Sequence, residues 1–227
     1  MNTLKKNINI LFKGIYAGMM IGIGGTVYLS ISNSIIGAIF FSVGLLIICI
    51  YKMNLYTGMI GYIIENKLNY IVTLLLTLIG NFIGTMITSL LVLNTRIANI
   101  SVRAKEISAI KINDNYLSIF ILSIFCGMLM YIAVNTFKKE KDSIVRYLAI
   151  FICVIVFILS GFEHCIANMY YISLAKLWSL KAVLSTLIMI LGNSVGSIFI
   201  AIFNNKIKEN WNKRRNTCWR KKKQLRY

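Results

Sequence analysis

Proline is absent from this sequence, and histidine occurs once. Without proline, any break inside a helix has to come from glycine or from polar groups that compete for the backbone. Acids are scarce too, with 7 Asp and Glu against 25 Lys and Arg. One histidine and so few carboxylates do not make a three- or four-ligand metal site. Apart from Glu163, the acids (Glu65, Glu106, Asp114, Glu140, Asp142, Glu209) fall in loops or the tail, so no Ser-His-Asp set assembles. No catalytic residue, metal or cofactor is expected, and the chain does not read as an enzyme. The five cysteines, Cys49, Cys126, Cys153, Cys165 and Cys218, contain no CxxC pair. Four of them lie in apolar runs, where cysteine behaves as a small apolar side chain.

What is abundant is apolar. Hydrophobic residues make up 58% of the chain, charged residues only 14%, and the mean hydropathy is +0.73. Soluble domains run at about 45–50% apolar with about a quarter charged. A spanning helix takes about 20 apolar residues. The chain therefore reads as one all-α integral membrane domain whose first partner is the lipid bilayer. Its net charge of +18 comes from residues flanking the apolar runs. Membrane topology accounts for that placement, and no nucleic-acid partner is expected.

Residues 1–13 are polar. Apolar stretches follow at about Gly14–Ser32, Ser34–Ile64, Tyr70–Leu93, Tyr116–Phe137, Arg146–Leu174 and Lys181–Asn204. A polar linker, Asn94 to Asn115, separates the third from the fourth. The second and fifth are too long for one plain span. Both are interrupted, the second by Tyr51-Lys52-Met53-Asn54-Leu55-Tyr56-Thr57-Gly58 and the fifth by Ser160-Gly161-Phe162-Glu163-His164. Non-helical backbone at membrane depth persists only against protein or a water-filled cavity. Six spans with the second and fifth broken is the expected architecture. A short interfacial helix after Lys52 is the other reading of the second stretch.

The two halves, about 14–93 and 116–204, share landmarks. Gly80-Asn81-x-x-Gly84 matches Gly192-Asn193-x-x-Gly196. Asn54-Leu55-Tyr56 is matched with Asn168-Met169-Tyr170, and Ala17-Gly18 more weakly with Cys126-Gly127. Three spans per half is an odd number, so the halves are expected to lie in opposite orientation as an inverted 3+3 repeat. Paired interrupted spans point to a central pathway. Placing the N-terminus inside puts eighteen Lys and Arg in inside segments against six outside, with Lys52 unassigned. Both termini are then cytoplasmic, and residues 206–227 form a basic tail, disordered or resting on anionic lipid.

The run Ser160-Gly161-Phe162-Glu163-His164-Cys165-Ile166-Ala167-Asn168-Met169 resembles the signature of the formate–nitrite transporter family. Leu55-Tyr56-Thr57-Gly58 resembles that family's loop after the second span. The two Gly-Asn-x-x-Gly motifs match its third and sixth spans, and Lys111 falls where it keeps a lysine. The resemblance covers about residues 8–208. It implies an aquaporin-like six-helix fold, a homopentamer in the cell membrane, and passage of formate, nitrite, hydrosulfide or similar small monovalent anions with protons. It also implies a central pore histidine at His164 with Thr57 as partner, apolar constrictions at Phe41, Leu45 and Phe157, and a polar residue at Asn193. Asn168, inside the signature, joins the pathway. The chain departs from the family at Lys52, Asn54, Tyr56 and Gly127, and in having no proline.

Each residue also has a plainer reading. Thr57 is a helix cap, the three apolar side chains are packing, and Lys111 is a solvated loop charge. Asn81 and Asn193 tie helices together, which for Asn81 is the preferred reading. Glu163 supports the loop, and Gly80 and Gly192 allow close helix approach. The competing function is a neutral small-solute channel, although the Asn-Pro-Ala pair of water channels cannot occur here.

Overall fold

A computed structural model describes residues 3–224, with side chains to Ile207. Among the described residues there are helices and no strands. Helix α1 spans Thr3–Ser30, α2 Ser34–Ile50, α4 Tyr70–Leu93, α5 Ser101–Asn113, α6 Tyr116–Lys139, α7 Ser143–Leu159, α8 Cys165–Leu174 and α9 Leu180–Gln224. The short α3, Tyr56–Met59, continues as a 3-10 turn through Glu65, and a second 3-10 turn covers Ala98–Ile100. Four segments are each long and apolar enough to cross a bilayer: Thr3–Ser30, Tyr70–Leu93, Tyr116–Lys139 and Leu180–Ile207. The remaining apolar helices, α2, α7 and α8, are shorter.

Three features differ from the sequence reading. Helix α1 starts at Thr3, well before the apolar run, and buries Ile10. The polar linker contains α5, which buries only Ala104, Ser108 and Ile112 along one side. That narrow stripe hides the helix in the composition. The tail, expected to be disordered or resting on anionic lipid, continues α9 as helix to Gln224, and its lipid contact rests on side chains beyond Ile207, outside the described residues.

The two interruptions occur where they were expected, and they are built alike. Helix α2 ends with the amide of Lys52 on Cys49 O and that of Met53 on Ile48 O. Helix α7 ends with the amide of Gly161 on Ile158 O and that of Phe162 on Phe157 O. Both are Schellman caps, whose left-handed residue suits glycine. It is Gly161 at φ 68° in one and Lys52 at φ 52° in the other. A side chain there costs roughly 1–2 kcal/mol. The helix starts match as well. Asn33 caps α2 at the amides of Ile35 and Ile36, and Asp142 caps α7 at those of Ile144 and Val145.

These equivalences run at one offset of 109 (33 to 142, 48 to 157, 52 to 161). The same offset places Asn54-Leu55-Tyr56 on Glu163-His164-Cys165. The match to Asn168-Met169-Tyr170 is therefore corrected. The resemblance of letters came from a different register than the backbone uses.

Packing repeats too. Helix α1 lies closest against α4, and α6 against α9. A Cβ on Gly18 would strike Asn81 O, and one on Gly127 would strike Asn193 O. Gly84 meets Ile15 O and Gly196 meets Ile124 O in the same way. Backbone-to-backbone approach of this kind is what small residues permit in lipid.

Candidate functional site

Asn81 and Asn193 hold the breaks open. The Asn81 amide donates to Gly14 O and Asn54 O, both at 2.8 Å, and its oxygen accepts from the Tyr56 amide at 2.9 Å. The Asn193 amide donates to Ser123 O and Glu163 O, both at 2.8 Å, and its oxygen accepts from the Cys165 amide at 2.9 Å. Each asparagine thus bonds one neighbouring helix and both sides of a break. The partners are the 109-residue equivalents of one another (14 to 123, 54 to 163, 56 to 165). Both side chains are fully buried. Every donor and acceptor of Asn193 is engaged with backbone. Gly80 and Gly192 sit beside them against Gly14 and Ser123.

The breaks differ in what they carry between these clamps. His164 is the N-cap of α8, and its Nδ1 accepts from the Ala167 amide at 3.1 Å. A nitrogen that accepts holds no proton, so the neutral ring carries its hydrogen on Nε2. Nε2 lies 2.9 Å from Thr57 Oγ1, which therefore accepts from it. That leaves the threonine hydroxyl hydrogen able to point elsewhere. Helix α3 has no such side-chain cap, since the residue in that place is Leu55. Thr57 is thus not a cap. Its own carbonyl faces the Ser197 hydroxyl at 3.4 Å.

Aromatic rings surround the histidine. Phe157 stacks on it with centroids 5.5 Å apart and an interplanar angle of 24°. Phe41 meets Phe157 edge-on at 5.9 Å. Leu45, one turn beyond Phe41, is fully buried. The three residues lie on the facing helices α2 and α7.

Two cavities approach this layer. One, of about 560 Å³, is lined by Ile48, Lys52, Leu55 and Gly58 among others. The second, of about 290 Å³, is lined by Lys111, Phe157, Glu163, His164 and Asn168 among others. Thr57 lines neither. It sits between Leu55 and Gly58 of the first cavity in the chain, and bonds to His164 of the second.

Lys111 is tied rather than solvated. Its Nζ is 2.7 Å from Glu163 Oε2, and the two side chains are 16% and 4% exposed. The Asn168 amide donates to the same oxygen at 2.6 Å and reaches Met189 Sδ at 3.1 Å. Glu163 thus anchors Lys111 and Asn168 at the wall of the smaller cavity. Sequence reasoning missed several members of the site. Tyr28 and Tyr171 line the smaller cavity, Lys138 and Arg146 line the larger, and the Tyr56 hydroxyl lies 2.9 Å from Ser194 Oγ. Of these only Tyr56 and Ser194 fall inside quoted motifs, and neither was singled out for its hydroxyl. Only their helical phase, once the register is known, brings them together.

The formate/nitrite transporter pattern matches residues 2–207. The chain belongs to that family. It is a membrane protein, and the relatives named here are transporters or channels. It is 26% identical over 208 residues to the formate-nitrite transporter of Plasmodium falciparum, covering 77% of this chain and 67% of that one. It is 22% identical over 191 residues to the formate channel FocB of Escherichia coli, covering 75% and 68%. The chain thus spans about two thirds of the length of these curated relatives. Among solved structures it superposes on a pentameric formate channel with formate bound. That match has a TM-score of 0.76 at 23% identity and covers 90% of this chain and 98% of that one. An FNT family ion channel matches with a TM-score of 0.73 at 21% identity, covering 91% of each. At these identities the structural matches carry the fold.

Proposed function

We propose that the chain is a homopentameric channel for small monovalent anions of weak acids (formate, nitrite or hydrosulfide), with one pore in each protomer. The observation that carries this reading is the His164–Thr57 bond, which joins the two breaks beside a ring of Phe41, Leu45 and Phe157. A bare anion costs several kcal/mol in such a low-dielectric layer. A weak acid avoids that cost by crossing as the neutral acid. The imidazole Nε2–H holds the Thr57 hydroxyl oxygen, and in this reading the hydroxyl's own hydrogen meets the anion. Lys111 and Asn168, held by Glu163, line the approach on the His164 side. The proton travels with the anion, and no enzymatic step is involved.

The matched clamps support six spans in an inverted 3+3 arrangement, with α2–α3 and α7–α8 as the broken second and fifth. The halves are then about 14–93 and 116–204, within a channel domain of 14–205. The Lys and Arg distribution supports a plasma-membrane orientation with residues 1–13 and 206–227 cytoplasmic. In this scheme Asn193, with its amide fully engaged, frames the pore and does not touch the anion.

The test is uptake of formate, nitrite and hydrosulfide into proteoliposomes across pH 5–8, beside a neutral solute, for the native chain and His164→Asn. Selective flux of an anion that rises as the medium is acidified, and falls in the variant, is the expected result. Equal passage of a neutral solute with no anion preference would replace this reading by the small-solute channel. Fluxes at the empty-vesicle leak with folded protein would end it.

A further inference from the structure

The two cavities have opposite electrostatic character. The smaller is lined by Lys111, Glu163 and Asp114, one cation against two acids, with the lysine already paired. The larger is lined by Lys52, Lys138 and Arg146 and by no acid. None of these three has a carboxylate partner among the described residues. The nearby acids are engaged elsewhere. Glu65 pairs with Lys139, Glu140 accepts from the Lys141 amide, and Asp142 caps α7.

Two of the three cations are also held in place. The Arg146 Nε donates to Phe137 O at 2.9 Å, and its guanidinium lies over the Phe137 ring. The Lys138 Nζ stands 4.5 Å above the Tyr62 ring. Lys52 sits at the left-handed position that its equivalent in the other break fills with glycine. Strain kept where glycine would relieve it points to a use for the side chain. A cation at a helix C-terminus also complements the helix dipole, and Lys176 does the same at φ 55° after α8. That plainer reading makes a different prediction, given below.

We infer that the larger cavity is a binding site for a multivalent, phosphate-bearing anion, which enters from the Lys52 side and blocks the pore because it cannot pass. Its volume of about 560 Å³ lies within the range of about 300–1,000 Å³ usual for ligand pockets. The layer of Phe41, Leu45 and Phe157 beyond it tolerates an anion that one proton neutralises. An ion bearing several charges stays behind it. The smaller cavity offers no matching set of unpaired cations, so block is one-sided. This inference rests on the anion-channel reading.

The test uses the full chain in phosphatidylcholine vesicles, with inorganic pyrophosphate added to one face at a time and formate flux as readout. Asn205 bonds to Glu65, so the basic tail leaves on the Lys52 side, and tryptic access to it scores orientation. Block from the Lys52 side alone is expected, with the half-blocking concentration raised about tenfold or more in Lys52→Gly with Lys138→Gln. Lys52→Gly alone relieves backbone strain and raises Tm, yet weakens the block. A purely structural lysine, kept for the helix dipole, would leave the block unchanged and the Tm equal or lower on its removal, and an unchanged block overturns the inference at either Tm.

Cys49 lines the same cavity and reads the site without any flux. In a Cys218→Ser background it is expected to react faster with an anionic than with a cationic methanethiosulfonate, and pyrophosphate slows that reaction. Formate flux with no block, or with equal block from both faces, overturns the inference and leaves the channel reading intact. If formate flux is absent, equal labelling rates without protection overturn it alone. If pyrophosphate is inert and charge dependence appears only with phosphatidylglycerol present, the cations hold a lipid headgroup and the soluble-anion site is overturned.

Discussion

The break after α2 and the break after α7 use the same backbone and different chemistry. Both have a Schellman end, a buried asparagine clamp and a restart two residues beyond the first bond of that clamp. Between the clamp bonds the first carries Asn54-Leu55-Tyr56 and the second Glu163-His164-Cys165. What repeats is the scaffold. What does not repeat, namely the imidazole, the carboxylate and the lysine it holds, is where the two breaks part in function.

The largest effect expected from disturbing this pair comes from the clamps. Asn193→Leu leaves the Cys165 amide and the Glu163 carbonyl buried without the partner they have here, while Ser123 O keeps its place in the α6 ladder. At about 1–3 kcal/mol for each such group, most folded protein should be lost in detergent size-exclusion chromatography. Asn81→Leu should cost about as much, because its bonds are equivalent. A clear difference between the two in thermal unfolding would break the symmetry of the scaffold.

Next comes the charge present in one break only. Lys111→Met leaves Glu163, 4% exposed, without its cation. Removing one partner of a buried pair costs about 3–5 kcal/mol. Adding Glu163→Gln should restore most of the thermal stability, since the second break then becomes neutral at that position like Asn54 in the first. Failure of the double variant to recover would mean that Glu163 holds Asn168 and the loop by charge rather than by shape.

The third change makes the breaks alike at the centre. His164→Leu copies Leu55, and should cut formate flux at least about tenfold, equivalent to about 1.4 kcal/mol on the barrier. Its cost in stability is about 0.5–2 kcal/mol, the usual value of an N-cap. His164→Asn keeps a capping oxygen, so it should unfold near the native temperature while its flux stays low. Flux equal to native in either variant would remove the imidazole from the pathway.

The smallest effect belongs to a bond from the first break to α9. Ser194→Ala removes the partner of the Tyr56 hydroxyl and should cost about 1 kcal/mol or less in thermal unfolding.

Much of this scaffold is legible in the amino-acid sequence, for physical reasons. An apolar run too long for one span, cut by Lys52 and Asn54 or by Glu163 and His164, reads as a broken helix even though no proline is present. Gly-Asn-x-x-Gly is legible because glycine at that spacing lets backbones touch. Register was not legible. Asn54 and Asn168 share a letter, but the clamp bonds make Asn54 the counterpart of Glu163, and only three dimensions reveal that. The helix α5 was hidden because it buries so few residues that its pattern looks like a polar loop. The Lys111–Glu163 pair spans 52 residues of chain, and nothing local to either announces the other. The cap made by His164 was masked by the more conspicuous chemistry of the same ring.

The clamp bonds carry a consequence in time. Every bond of Asn81 closes within residues 14–81, and every bond of Asn193 within 123–193. The amino-terminal set is therefore complete in the chain before the second set has been made. The contacts that join them (Thr57 to His164, Tyr56 to Ser194, Thr57 to Ser197) wait for the second half of the chain to leave the ribosome. Each newborn protein can lock its two shells in turn while the passage between them stays unassembled. The route through the membrane then appears only once synthesis is all but finished.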